Sequence, residues 1–309
     1  MSHTPVLLKE TIEILDPKPG EFFIDGTIGN GGHSKEILKR IGPNGKLLGI
    51  DWDKNAIAKL QIAELQNCKN LILLHGNYAD LPKILKNLPA GRQGKKLGKA
   101  NGLLLDLGFS SEQLESGRGF SFLKDEPLDM RYNAKSQISN LKSQNNLTAA
   151  EVINQFSEKD LADIIFKYGE ERFSRRIAKA ITEQRKIKRI LGTFNLVEII
   201  KKAVPKSYER GRIHPATRTF QALRIYVNNE LKNLENLLKN IDKIVKNEGR
   251  IAIISFHSLE DRLVKNRFKE LKNEGKAVIL TKKPITAGDE EIKNNPRSRS
   301  AKLRAIKII

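Results

Sequence analysis

The chain carries one cysteine, Cys68. A lone thiol excludes an internal disulfide and any multi-cysteine metal site. The five histidines (His3, His33, His75, His214, His257) are scattered, and no two share the i, i+4 spacing of a zinc helix, so no metal is expected. Long apolar runs are absent as well. None approaches the ~18 residues a membrane helix needs. The opening Met1-Ser2-His3-Thr4-Pro5 lacks the basic-then-apolar order of a signal peptide, so a cytoplasmic protein with no membrane partner is expected. Acidic residues are the scarce charge: 36 Asp and Glu stand against 56 Lys and Arg, a net charge of +20. Such a surface attracts polyanions, with nucleic acid the first partner to consider and an anionic membrane the second. A generally lysine-rich proteome would leave the same mark.

What is present is a clear alternation. With 309 residues, one or two domains are expected. Short apolar runs at 22–25, 47–51, 71–75 and 102–107 alternate with helical patterns at 32–41, 53–66 and 80–88. Continuous apolar strands between helices predict a parallel sheet covered on both faces. From 148 to 205 the pattern is helical only. A long amphipathic helix is expected from Pro215 to about Val245, then strands at 251–256, 278–281 and 302–308 with a helix from Ser258. The reading is one discontinuous α/β domain, 1–110 and 215–309, interrupted by a helical domain, 111–214. Two polar segments, 89–100 and 133–147, bury little apolar surface and are expected to be mobile loops.

The turn "FFIDGTIGNGGHS", residues 22–34, raises the question of a ligand. A dinucleotide fold would show G-x-G-x-x-G around a pyrophosphate. Here an acid, Asp25, precedes glycines spaced differently; it would repel a pyrophosphate and suit an ammonium group. A second acid, Asp51, ends the next strand, where a carboxylate accepts hydrogen bonds from ribose hydroxyls. Ribose plus an amino-acid ammonium without phosphate describes S-adenosylmethionine. Ordinary turn glycines and a helix cap are the plainer alternative.

The blocks "HTPVLLKE", "DGTIGNGGHS", "GIDWD", "LLLDLGFSSEQL", "GRGFSF", "PLDMR", "YGEERFSRRIAKAI", "HPATRTFQALRIYVNNEL", "ISFHSLEDR" and "NPRSRSAKLR" run in order from residue 3 to 304. Together they resemble the family of ribosomal RNA small-subunit methyltransferase H, also called MraW. The resemblance implies a class I methyltransferase fold, Rossmann-like with a mostly parallel sheet and an inserted all-helical domain. It implies methylation of the exocyclic N4 of a cytidine in the decoding region of 16S rRNA, with S-adenosylmethionine as cofactor and the rRNA or small ribosomal subunit as partner. Homo-oligomerisation is left open.

Carried over motif by motif, the resemblance assigns Gly31, Gly32 and His33 to the methionine-side loop, Asp51 to the ribose, Tyr78 to the adenine, and Asp106 and Gln113 to further cofactor contacts. His33 could instead contribute only its backbone, Tyr78 could be a core aromatic and Asp106 could cap a turn. The cytosine N4 needs alignment with the sulfonium methyl and an acceptor for its N–H more than a strong base. The acceptors in "DLGFSS" make Asp106 and Ser110 catalytic candidates, and Phe109 is either a stacking surface for an unstacked base or plain core. His257 is a substrate contact or a structural residue; Ser258 and Asp261 read as a capping box. His214 precedes a helix whose Arg218 and Arg224 are placed to meet phosphate. Arg175 and Arg176, with basic neighbours from 172 to 189, and Arg297 and Arg299, with Lys302 and Arg304, form two candidate RNA-binding clusters; solvated helix faces are the alternative. A DNA or protein methyltransferase, a cofactor-binding assembly factor without turnover, and a nicotinamide enzyme remain as competing readings.

Overall fold

The computed structural model describes residues 4–62, 68–88, 97–108, 111–132, 147–209 and 213–309. They fall into two units, Met1–Gly108 with Leu231–Ile309, and Phe109–Glu230. Residues 133–146 of the segment 133–147, and most of 89–100, lie outside the described residues.

The first unit is built on a seven-stranded sheet of order β3-β2-β1-β4-β5-β7-β6. The strands are β1 (Phe22–Asp25), β2 (Lys46–Asp51), β3 (Leu71–His75), β4 (Ala100–Asp106), β5 (Val245–Ser255), β6 (Ala277–Ile279) and β7 (Lys302–Ile308). β1 to β5 pair in parallel, and β7 runs antiparallel to both β5 and β6. This is the α/β, Rossmann-like, mostly parallel sheet expected.

The apolar runs are continuous because both faces are covered. Alternate residues point to opposite sides. Phe23, Leu47, Leu104 and Ile254 pack with α1 (Leu8–Leu15), α2 (Gly32–Ile41) and α3 (Lys54–Ile62). Their neighbours Ile24, Leu48, Leu103 and Ile253 pack with α4 (Leu81–Asn87) and with helices from the second half of the chain. The order of strands reverses between β1 and β4. Ligands of such sheets bind at the carboxyl ends of the strands beside that reversal.

The second unit holds α5 (Ser111–Leu114), α6 (Ala149–Gln155), α7 (Glu158–Gly169), α8 (Ser174–Ile187), α9 (Thr193–Ala203), α10 (Lys206–Glu209) and α11 (Thr217–Asn228). Thr148 and Glu151 start α6 with a reciprocal capping box, and Ser157 caps α7 through the Asp160 amide. Val152, Ile165, Ile177, Ile181, Leu196, Ile200 and Leu223 form its core.

The single long helix expected from Pro215 to Val245 is three helices: α11, then α12 (Glu230–Leu238) and α13 (Ile241–Ile244). Asn229 breaks the run with a left-handed φ of 51°. The apolar period continues across the break because both halves are amphipathic, but they serve different cores. Phe220, Leu223 and Val227 fill the helical unit, whereas Leu234, Leu237 and Leu238 cover the sheet. The return to the first unit therefore falls at Leu231, and not at 215. Val245 begins β5 directly. The remaining helices are α14 (Ser258–Asn273) and α15 (Asp289–Asn294), followed by a 3-10 turn, Pro296–Ser300. Among the described residues no helix is long and apolar enough to cross a membrane.

Candidate cofactor site and nucleic-acid interface

The glycine turn joins the end of β1 to the start of α2. Gly31 is the N-cap of α2 with φ 75°, a left-handed conformation that glycine adopts at little cost. Gly32 lies so close to Pro5 that a Cβ there would sit 2.3 Å from the proline Cγ. No side chain caps α2, and its first turn carries no acid. The helix start thus presents backbone N–H groups and a positive dipole end to an anionic group.

Two carboxylates frame the turn. Asp25 is buried beneath it; its Oδ2 accepts the Ser34 hydroxyl at 2.6 Å and its Oδ1 the Thr27 amide at 3.1 Å. Burial pushes its pKa up to about 6, against the lowering effect of the Ser34 hydrogen bond. Its two hydrogen bonds hold the turn in place. Asp51, at the end of β2, accepts the Gly29 amide on Oδ2 at 2.9 Å and the Asp53 amide on Oδ1 at 2.8 Å. Loss of water around it pushes its pKa up to about 6 as well, so it is ionised at neutral pH. The Trp52 amide bonds it too, which leaves one of the carboxylate's four lone-pair sites for a hydroxyl donor.

Asp106 ends β4 on the other side of β1. Its amide donates to the Thr27 hydroxyl at 2.6 Å, and its Oδ1 accepts the Gly108 amide at 3.1 Å. Its Oδ2 lies 3.9 Å from Nδ1 of His33. The other ring nitrogen of His33 is 3.0 Å from the Val6 carbonyl, which can only accept, so Nε2 carries the proton. Burial lowers the His33 pKa and favours the neutral ring. Tyr78 opens a 3-10 turn after β3; a Cβ on Gly26 would lie 3.2 Å from the tyrosine Cβ.

Gly31, Gly32, His33, Asp51, Tyr78 and Asp106 thus gather at the carboxyl ends of β1 to β4 in one unit. The donor set fits a ligand bringing a carboxylate to the start of α2 and hydroxyls to Asp51, as S-adenosylmethionine would. Gln113 belongs to the helical unit, in α5, where its carbonyl accepts the Ser116 hydroxyl. Phe109 and Ser110 lie outside the described residues. Sequence reasoning passed over Thr27, Ser34 and Val6. The first two stand inside the quoted motif, but no spacing rule marks a hydroxyl whose partner comes from another strand.

The basic and histidine candidates separate by environment. Arg297 and Arg299 are exposed on the 3-10 turn, on either side of the buried Ser298. Arg304 is instead bound to Asp261 through Nε at 2.6 Å and Nη2 at 3.2 Å, bracing β7 against α14. Asp261 therefore does not form a capping box with Ser258. The box sits one residue earlier, with His257 as N-cap and Glu260 reaching back to the amides of Phe256 and His257. Nε2 of His257 lies 3.1 Å from Glu260 Oε1.

Arg224 does not face solvent for phosphate; Glu230 takes its guanidinium in a two-pronged pair, both contacts at 2.8 Å. Arg218 donates to the Glu170 carbonyl at 2.9 Å, and His214 stacks on Phe122 with ring centroids 4.7 Å apart. Arg175 and Arg176 are exposed on α8. Glu171, a candidate ion partner for them, is taken by the Tyr208 hydroxyl at 2.6 Å and the Phe173 amide at 2.8 Å.

A family model described as the MraW methylase family matches residues 1–309. The chain is 46% identical over 306 residues to a protein of Sulfurihydrogenibium sp. (strain YO3AOP1) named ribosomal RNA small subunit methyltransferase H, covering 98% of each chain. It is 44% identical over 323 residues to the protein of the same name from Clostridium botulinum (strain Kyoto / Type A2), covering 99% of each. A third, from Syntrophus aciditrophicus (strain SB), is 43% identical, covering 99% of this chain and 98% of that one.

Proposed function

This chain belongs to the MraW methylase family, and from that premise we propose that it methylates the exocyclic N4 of a cytidine in the decoding region of 16S ribosomal RNA. The methyl donor is S-adenosylmethionine, whose sulfonium supplies an electrophilic methyl when bound. The relatives' name supports a ribosomal RNA of the small subunit as substrate. The observation that carries the reading is the pairing of Asp51 with the Gly29 amide beside an uncapped α2. It combines a hydroxyl-binding carboxylate with an anion-binding helix start.

Within that reading each group has a task. The first-turn amides of α2, after Gly31 and Gly32, hold the donor's carboxylate. Asp51 holds its ribose, and Tyr78 supplies a further contact to it. Asp106 is the acceptor nearest the end of β4, where the nucleophile must arrive. The N4 lone pair is delocalised into the ring, so the residues must hold nitrogen, methyl carbon and sulfur in line and accept the N–H as the nitrogen pyramidalises. Phe109 and Ser110 flank that position in sequence. A cytidine inside a duplex presents no N4 at the required angle, so an unstacked base is the substrate form. Arg175, Arg176, Arg297 and Arg299 bind phosphate. His257 caps α14, Arg218 ties α11 to the end of α7 and His214 stacks on Phe122, so these three act mainly by holding structure.

The test is transfer of labelled methyl from S-adenosylmethionine to 16S rRNA and to small subunits, followed by nucleoside mass spectrometry. N4-methylcytidine formed by the wild type and lost in Asp106→Ala supports the assignment. Label in DNA or protein, or binding of the donor without turnover, overturns it.

A further inference from the structure

The helical unit carries a surface that the cofactor site does not use. After α8 the chain runs alongside residues 123–128. Pro127 and Gly192 form an antiparallel bridge. The Leu128 amide donates to the Leu191 carbonyl and the Thr193 amide to the Glu126 carbonyl, both at 2.9 Å. The Thr193 hydroxyl donates to the Lys124 carbonyl at 2.6 Å and accepts the Glu126 amide at 3.0 Å. This backbone clamp is held at both edges, so what it displays is held in place.

It displays apolar side chains. Leu191 is 55% exposed, Phe194 46% and Leu123 77%, and Ile187, which ends α8, is 82% exposed. Four of the nine large apolar side chains exposed among the described residues thus fall on the two segments that the clamp joins, one at 123 and three within 187–194, a concentration that marks a contact surface. Around them Lys124, Lys186, Lys188 and Arg189 are exposed, and among the described residues none has a carboxylate partner. The nearby acids are engaged: Asp125 accepts the Phe194 amide at 3.3 Å, and Glu126 the Gly119 amide at 2.9 Å. Glu198 pairs with Lys201 at 3.4 Å. Backbone hydrogen bonds leave the Asp125 and Glu126 carboxylates charged, so the four cations outnumber these two acids and the local balance is positive around an apolar centre.

We propose that this clamp docks single-stranded RNA, with bases laid on Phe194 and Leu191 and phosphates met by Lys188 and Arg189. Flat apolar surfaces framed by cations are how proteins hold unpaired strands. A second copy of the chain is disfavoured, because a two-fold contact would set the same cations against each other. The proposal rests on the ribosomal-RNA reading above and assigns a docking surface to it.

The experiment compares wild type with Leu191→Ser/Phe194→Ser and with Lys188→Ala/Arg189→Ala. Fluorescence anisotropy follows binding to an RNA fragment spanning the decoding region across a salt series. All four side chains are exposed; far-UV circular dichroism and the melting temperature check that the helical unit folds, and donor affinity by calorimetry checks the other unit. The apolar pair is expected to weaken binding roughly tenfold with the salt slope unchanged. The basic pair is expected to flatten the slope by about 1.4, two single-strand phosphate contacts. Wild-type affinity and slope in both variants overturn the proposal. So does a change confined to sedimentation, which assigns the face to self-association, or a loss seen with small subunits but not with naked RNA, which assigns it to a protein. If the wild type itself binds no ribosomal RNA, the parent reading fails and this surface falls with it.

Discussion

The carboxylate of Asp51 accepts the amide of Gly29 at 2.9 Å, tying the end of β2 to the glycine turn that follows β1. One side chain thus shapes the turn and, in the proposed function, holds the ribose. Removal of the carboxylate acts on both.

Asp51→Ala is expected to weaken S-adenosylmethionine binding by about 1.5–3 kcal/mol, the usual range for a hydrogen bond to a charged group. Asp51→Asn keeps an acceptor for Gly29 but turns an NH2 toward the Asp53 amide, so it should lower both the melting temperature and the affinity, each by less than Asp51→Ala. Calorimetry showing wild-type affinity in both variants would remove Asp51 from the site.

Arg297→Ala with Arg299→Ala should weaken rRNA binding and reduce the slope of log affinity against log salt by roughly 0.7–0.9 per lost phosphate contact. Both arginines are exposed. Donor affinity should not change, because that site is built on β1 to β4. An unchanged salt slope would reject this turn as an RNA contact.

Arg304→Ala should act on stability instead. Arg304 and Asp261 are largely shielded from water, with side chains 11% and 13% exposed, and loss of the arginine leaves the carboxylate the longer Lys302 contact at 3.7 Å. A cost of about 2–3 kcal/mol is expected, somewhat under the range for a fully buried pair. Burial works to raise the Asp261 carboxyl, but the Arg304 hydrogen bond and charge outweigh it and hold the pKa below its usual value. The stabilisation is therefore present above about pH 4 and fades as pH falls through the depressed pKa. Melting curves of wild type and variant should converge in acid; a constant gap would contradict the ion-pair account.

Asp25 carries the opposite sign. Its pKa is raised from 3.8 to about 6 in the fold, so the folded state holds a proton that the unfolded chain has released. Its contribution is full below pH 3.8 and is lost as pH rises through about 6. Asp25→Asn should remove this dependence, on the order of 1–3 kcal/mol across the window. The difference between wild-type and variant stability, followed from pH 4 to 7 by chemical denaturation, measures it. A flat difference would place the Asp25 titration elsewhere.

The strands were legible in the sequence because a sheet covered on both faces writes itself as short, unbroken apolar runs. β1, β3 and β7 begin and end where those runs do, at 22–25, 71–75 and 302–308. The glycine turn and the acid at the end of β2 were legible too, since backbone conformation and strand ends leave local marks. Partner choice leaves none. Nothing in the spacing of "NPRSRSAKLR" separates Arg297 and Arg299, which face water, from Arg304, which closes on Asp261 43 residues away. Nor does the apolar period from 215 to 245 reveal that it serves two cores, because amphipathicity records that a residue is buried and not against what. The cap of α14 went to His257 and Glu260 for the same reason: Asp261 was already claimed from β7. Hydrogen bonds and ion pairs between distant segments depend on which atoms the fold brings within about 3 Å, and that distance exists only after the sheet has formed.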